Sequence, residues 1–195
     1  MFPSNKISDR SLKTTVLIAT FITCLLVLDS CNGNCDFETN KTVLKERFLS
    51  KVNIPEHELL STGTQQVEPT ISKELRKKRF TILHFFTADC SNCIDELRLI
   101  QHYLAKYKNE EVNYIFFAGA PTRFYAQEAI DKLKFPYPVY FEQTYFSYKN
   151  ANNFPLADKA YNTLLLDKQG KLLALGAFYD NKMARDLYDA TIACY

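Results

Sequence analysis

The stretch RFTILHFFTADCSNCIDELRLI, residues 79–100, changes its hydrophobic pattern halfway along. Residues 79–86 are aromatic, β-branched and almost continuously apolar, which is typical of a strand buried on both faces. From Cys93 onward, apolar residues recur every three or four positions, as on one face of a helix: Ile94, Leu97, Ile100 and Leu104. The stretch therefore predicts a buried strand followed by an amphipathic helix, with Cys90 at the junction.

Strands and helices alternate along the rest of the chain. Strands are predicted over residues 112–120 and 137–142, and helices over residues 122–134 and 182–194. Two further strands around the turn residues KQG, 168–170, predict a late β-hairpin. The order β-α-β-α-β, hairpin, α predicts an α/β fold of three layers, in which helices flank a central mixed sheet.

The N-terminus has the pattern of a secretory signal. Three basic residues precede an uncharged run over residues 14–28: Lys6, Arg10 and Lys13. This run is shorter than the roughly 20 residues that a membrane-spanning helix needs. Residues 28–31, LDSC, then place a small residue before Cys31. We expect a signal over residues 1–31, with an uncleaved N-terminal anchor as the alternative.

The remaining chain divides into two parts by composition. Residues 32–64 are predicted to form a polar tether, a short helix over 41–52 and a loop. Residues 65–195 are predicted to form the globular domain. With 47% hydrophobic residues and a formal charge of +2, the composition is that of a globular protein and calls for no nucleic-acid partner.

An exported location changes what the cysteines imply. Disulfides persist outside the cytoplasm, so the pair Cys90 and Cys93 is expected to be a dithiol/disulfide pair. The chain has no second C-x-x-C and only three histidines, which argues against a structural zinc site. We therefore expect no metal and no cofactor. Cys35 and Cys194 could pair with each other or stay free, and the sequence does not decide between these states.

The position of the pair predicts its chemistry. The first turn of a helix has free backbone N–H groups and the positive end of the helix dipole, and both favour a thiolate at Cys90. Cys93 lies one turn later on the same face and can resolve a mixed disulfide formed by Cys90. The alternative is an inert C-x-x-C staple.

Two segments resemble a known group of proteins. The string CSNCIDEL, residues 90–97, resembles the C-x-x-C-x-x-E motif of exported, membrane-tethered thioredoxin-like proteins of the TlpA/ResA type. NTLLLDKQGKLL, residues 162–173, resembles their proline-Thr-strand-Asp-x-x-Gly-Lys block. LDSC resembles a bacterial lipobox. The resemblance implies a thioredoxin-like fold over about residues 65–195, and a lipid on Cys31 that anchors an exported, periplasm-facing chain to a bacterial membrane.

The resemblance also implies roles for the residues around the cysteines. Asp89 stands where the family has Trp, and Asn162, followed by Thr163, stands where it has a substrate-facing cis-proline. His84 stands where thioredoxins hold a buried acid that moves the proton of the second cysteine; the alternative is a core histidine. Glu96 matches the family's glutamate and could accept that proton, or act only as an early-helix acid.

The expected function is thiol–disulfide exchange with protein thiols and disulfides, supported by a membrane or soluble redox donor. The resemblance implies a reductant more often than an oxidant. One alternative is a non-catalytic binding module with this fold, or a carrier that holds copper on its two thiols. A peroxidase, suggested by Thr87 three residues before Cys90, is disfavoured because Leu83 stands where peroxiredoxins have proline.

Overall fold

The computed structural model describes Leu44 and residues 47–61, 63–64, 66–68 and 70–195. Apart from Cys194, these residues belong to one of two units of the chain, Asp36–Ala193 with Tyr195. The predicted signal, the tether, Cys31 and Cys35 lie outside the described residues. In the described part of the chain, no helix has the length and apolar character needed to cross a membrane.

The described residues form six strands, five α-helices and one 3-10 helix. The strands are β1 (Glu58–Ser61), β2 (Phe80–Thr87), β3 (Val112–Gly119), β4 (Val139–Glu142), β5 (Thr163–Asp167) and β6 (Leu172–Leu175). The α-helices are α1 (Ile71–Glu74), α2 (Ser91–Tyr107), α3 (Arg123–Leu133), α4 (Ser147–Ala151) and α5 (Lys182–Cys194). The 3-10 helix, Lys159–Asn162, leads directly into β5.

The strands form one mixed sheet in the order β1-β4-β3-β2-β5-β6. β2 pairs in parallel with β3 and antiparallel with β5, so it lies in the interior of the sheet. β4 extends the parallel part of the sheet, and β1 and β6 form antiparallel edges. The predicted mixed sheet with a late antiparallel hairpin is confirmed.

Hydrophobic clusters cover both faces of the sheet. One face packs against buried residues of α2, α3 and α5, such as Ile100, Ile130 and Tyr188. The opposite face packs against α1, α4 and neighbouring segments through Ile71 and Tyr148, among others. Alternate residues of β2 point to opposite faces and enter the two clusters. Because helices pack on both faces of the sheet, the predicted three-layer arrangement is confirmed.

The helices begin where polar side chains can accept backbone hydrogen bonds. The side chain of Thr122 accepts a hydrogen bond from the Tyr125 amide at the start of α3, and that of Asn181 accepts from the Met183 and Ala184 amides at the start of α5. At the predicted hairpin turn, Gly170 has a φ of +79°, a conformation that glycine adopts at little cost.

The N-terminal segment adds pairing that the sequence pattern left open. β1 pairs with β4, so the sheet includes residues before the predicted domain start at residue 65. Of the predicted helix over 41–52, residues 41–43, 45 and 46 lie outside the described residues. Leu44 is helical, but residues 47–49 form a turn in which Leu49 has a φ of +61°, and Lys51 then pairs with Lys171 through the backbone. The second half of the predicted helix is therefore wrong.

Candidate active site

Cys90 lies where the chain leaves the sheet and enters α2. It is the N-cap residue of this helix, in an extended conformation with φ −115° and ψ 115°. The turn before it is tied to the sheet, because the Ala88 amide donates a hydrogen bond of 2.8 Å to the Gly119 carbonyl. The end of a buried strand and the start of a long helix therefore fix the position of Cys90, as the sequence predicted.

The two cysteines contact each other across the first turn of α2. The Cys93 amide donates to the Cys90 sulfur over 3.4 Å, so Cys90 caps the helix with its own side chain. The Cys90 sulfur thus lies at the N-terminal end of α2, where backbone N–H groups lack helical partners. Both residues are partly exposed, and neither takes part in a disulfide. The structure thus describes the reduced form of the pair.

Cys93 is held as a thiol by its surroundings. Burial raises its pKa to about 11, and a hydrogen bond with Cys90 and the negative charge of Glu96 act in the same direction. A backbone hydrogen bond with Thr87 opposes these effects. Cys93 therefore stays protonated at neutral pH and needs a proton acceptor before it can attack a disulfide.

Glu96 lies one turn beyond Cys93, and its carboxylate is fixed by a tyrosine from a distant part of the chain. The Tyr179 hydroxyl donates a short hydrogen bond to Glu96 Oε1. Tyr179 is mostly buried, and burial together with the bond to Glu96 raises its pKa far above the ordinary value. The phenol therefore stays protonated and keeps donating to the carboxylate.

Thr163 links this pair of residues to the core. Its side chain acts on the Tyr179 phenol in the direction opposite to burial, since it lowers the pKa of that phenol, and Thr163 Oγ1 lies 2.9 Å from His84 Nδ1. His84 and Thr163 face each other because β2 and β5 pair in antiparallel register at these residues.

His84 is completely buried and neutral. Burial lowers its pKa to about 3, because the interior disfavours the imidazolium form. Its ring packs edge-on against Tyr179, with centroids 5.7 Å apart. Its Nε2 has no hydrogen-bond partner among the described residues. These features support a core histidine that orients Thr163, and they argue against proton transfer through His84 at neutral pH.

The other two residues predicted to contact the substrate are Asn162 and Asp89. Asn162 ends the 3-10 helix directly before Thr163, and no cis peptide bond occurs among the described residues. Its Oδ1 is buried without a partner in the described part of the chain. Asp89 is exposed, and its Oδ2 accepts a 2.9 Å hydrogen bond from the Tyr145 hydroxyl.

The structure therefore brings together most of the predicted site residues and adds two tyrosines. Cys90, Cys93 and Glu96 lie on one helix, and Thr163 and His84 reach Glu96 through Tyr179. Sequence reasoning missed Tyr179 and Tyr145, because they lie 83 and 56 residues from their partners, Glu96 and Asp89, and belong to no local motif. In the sequence, the only signal for Tyr145 and Tyr179 is the presence of an aromatic residue in a loop segment that also holds polar residues.

Two further predictions concern residues away from this cluster. Cys31 lies outside the described residues, so its lipidation stays a prediction. Within the described ranges, no group of three or more His, Cys, Asp or Glu side chains is arranged to hold a metal ion.

The buried state of His84 predicts a pH dependence of stability. Its pKa is about 3 in the folded protein and about 6.5 as a free side chain, so between these values the unfolded chain binds one more proton. The free energy of unfolding should therefore fall with decreasing pH, by about 1.4 kcal/mol per pH unit from this residue. Denaturant unfolding measured between pH 4 and pH 7 gives the free energy of unfolding at each pH. This free energy should change less steeply with pH in His84→Gln than in the parent protein.

The exposed His102 on α2 provides the matched control, and His102→Gln should retain the parent slope. If His84→Gln folds poorly, NMR titration of the parent protein gives the same test: the His84 ring signals should stay constant from pH 4 to pH 8. If the free energy of unfolding changes equally with pH in His84→Gln and in the parent protein, or if His84 titrates near pH 6.5, His84 is not a buried neutral histidine.

Comparison with known proteins adds information on the fold. No protein-family model matches the chain, and no curated protein matches it in sequence. Solved structures do match. A thioredoxin domain of a thiol-disulfide oxidoreductase from Bacteroides vulgatus is 14% identical with a TM-score of 0.50, over 66% of this chain and 86% of that one.

Two other solved structures have similar values. A DsbF homologue from Corynebacterium diphtheriae is 17% identical with a TM-score of 0.51, over 74% of this chain and 86% of that one. The peroxidoxin BcpB from Mycobacterium tuberculosis is 13% identical with a TM-score of 0.54, over 76% of this chain and 98% of that one. At these identities the likeness establishes the fold: the chain is thioredoxin-like, and the predicted fold class is confirmed.

Proposed function

We propose that this protein is a thiol–disulfide oxidoreductase in which Cys90 is the nucleophile and Cys93 the resolving thiol. The observation that carries the proposal is the unequal environment of the two sulfurs. Cys90 Sγ accepts the Cys93 amide at the helix N-terminus, whereas Cys93 is held as a thiol with a pKa of about 11. This difference between the two environments is expected of a pair in which one sulfur attacks the substrate and the other, still protonated, later resolves the mixed disulfide.

In the reducing direction, the Cys90 thiolate attacks one sulfur of a substrate disulfide. A bond forms between Cys90 and that sulfur, the substrate S–S bond breaks, and the second substrate sulfur leaves as a thiolate. Cys93 then loses its proton and attacks the Cys90 sulfur, releasing the first substrate sulfur. Two electrons pass to the substrate and the protein ends with a Cys90–Cys93 disulfide, which a redox donor must reduce again.

Glu96 is the residue best placed to accept the Cys93 proton. Its negative charge acts on Cys93, and Tyr179 orients its carboxylate. A carboxylate held near a thiol both opposes early ionisation of that thiol and receives the proton when attack begins.

The substrates, direction and location of the reaction rest on the sequence. We propose protein substrates, the reducing direction, and an exported chain anchored to a bacterial membrane by a lipid on Cys31. The TlpA/ResA-like motif and the lipobox-like LDSC segment support these assignments. Among the solved structures of similar fold, one is described as part of a thiol-disulfide oxidoreductase, which agrees with the proposed reaction.

Trapping in cells tests the proposed reaction. In Cys93→Ser the first attack remains but resolution is lost, so substrate proteins should accumulate as mixed disulfides on Cys90. Non-reducing electrophoresis should show higher-mass adducts that disappear with dithiothreitol, and mass spectrometry of the adducts would identify the partners. The double variant Cys90→Ser/Cys93→Ser is the matched control and should form none through this pair. Equal adducts in both variants, or none in either, would contradict the proposal.

A second experiment separates the two effects of Glu96. Glu96→Gln removes a negative charge, so the Cys93 pKa should fall below about 11 and iodoacetamide should modify Cys93 faster in a Cys90→Ser background. The same change removes the proton acceptor, so resolution of a preformed mixed disulfide at pH 7 should slow by about tenfold to a hundredfold. Stopped-flow release of the bound peptide measures this step.

The neighbouring exposed acid, Asp95, supplies the control for this experiment. Asp95 pairs with Arg98 on the surface of α2, and Asp95→Asn should alter neither rate by more than about twofold. If Glu96→Gln accelerates both alkylation and resolution, Glu96 acts only through its charge and accepts no proton.

A further inference from the structure

The residue directly before the nucleophile is a carboxylate held in one position. Asp89 Oδ2 accepts a 2.9 Å hydrogen bond from the hydroxyl of Tyr145. Tyr145 belongs to the segment between β4 and α4, so the bond joins two separate loops beside Cys90. Burial and the bond to Asp89 raise the pKa of Tyr145 to about 12, so the phenol remains a donor at neutral pH.

The ring of Tyr145 is fixed on its other side by the end of β3. A Cβ atom at Gly119 would lie 3.2 Å from Tyr145 Cδ1, tighter than an ordinary van der Waals contact, so the glycine permits the ring to approach the backbone closely. Gly119 pairs with Thr87 in the sheet and accepts the Ala88 amide. The Tyr145 ring therefore lies next to the loop that carries Cys90.

The charge of Asp89 has no cationic partner in the described part of the chain. None of the ion pairs among the described residues includes Asp89, and Arg98 of α2 pairs with Asp95 instead. The neighbouring Ser91 and Asn92 are exposed and uncharged. A polypeptide whose disulfide approaches Cys90 therefore meets an exposed, oriented and uncompensated negative charge one residue away.

We infer that Asp89, positioned by Tyr145, selects polypeptide substrates with a lysine or arginine beside the reacting cysteine. This inference rests on the proposed function and names the substrate class for the same site. A carboxylate beside a thiolate opposes the charge of that thiolate, and a cation on the substrate compensates for it. When Cys93 later attacks the mixed disulfide, the same cation stabilises the substrate sulfur that leaves Cys90 as a thiolate. An acidic substrate residue is repelled.

Competing peptide substrates test the inference. Two oxidised two-cysteine peptides are used that differ only in a lysine or a glutamate beside the first cysteine. The second-order rate constant of each with the reduced full-length protein is divided by its rate constant with dithiothreitol, which corrects for the peptide's own reactivity. We expect the corrected ratio to favour the lysine peptide by about threefold to fivefold at low salt and to fall as salt is added.

Variants show whether the preference comes from Asp89. In Asp89→Asn, the ratio of the corrected rate constants of the lysine and glutamate peptides should approach one. An effect of this substitution on the reactivity of Cys90 does not change the ratio, because it is common to both peptides. Tyr145→Phe keeps the ring but loses the hydrogen bond, and should give an intermediate ratio. Asp131→Asn removes one exposed carboxylate from α3 and is the control for net charge, so it should keep the parent ratio.

The outcomes separate this inference from the proposed function. Equal corrected rates for both peptides in the parent protein, or an unchanged preference in Asp89→Asn, would overturn the inference and leave thiol–disulfide exchange standing. Failure of the reduced protein to react with either peptide would overturn both.

Discussion

The pairing of β2 with strands on both sides is the constraint on which the rest of the site depends. β2 pairs with β3 from Phe80 to Thr87 and with β5 from Phe80 to His84. Because successive side chains of β2 point to opposite faces, a shift of one residue would exchange the side chains that pack in the two hydrophobic clusters. The end of the strand, and with it Cys90 at the start of α2, therefore has a fixed place relative to β5.

The same pairing organises the polar residues behind the cysteines. His84 faces Thr163 across the β2–β5 pair, and Thr163 contacts Tyr179, which holds Glu96 beside Cys93. The Tyr179 hydroxyl orients the Glu96 carboxylate, and the Tyr179 ring packs edge-on against His84 of the sheet. The orientation of Glu96 therefore depends on a residue that is held in place by β2.

Local patterns predicted the fold and the cysteine pair, because both depend on residues close together in sequence. The apolar run of β2 and the hydrophobic periodicity of α2 predicted the strand-to-helix junction. The position of Cys90 at this junction, three residues before Cys93, predicted which sulfur lies at the start of the helix. The contacts of Tyr179 and Tyr145 join segments that are far apart in sequence, so the hydrophobic periodicity of the chain does not predict them. For His84, local patterns left two alternatives, a proton carrier and a core histidine, and only its burial and its contact with Thr163 separate them.

The proposed function requires Cys90 and Cys93 to interconvert reversibly between dithiol and disulfide. Equilibration of the full-length protein in glutathione and dithiothreitol buffers, followed by alkylation and mass spectrometry of the peptide holding both cysteines, measures this interconversion. We expect a single two-electron transition with a midpoint between about −180 and −270 mV. A pair that forms no disulfide in any buffer, or one that stays oxidised to below about −300 mV as structural disulfides do, would contradict it.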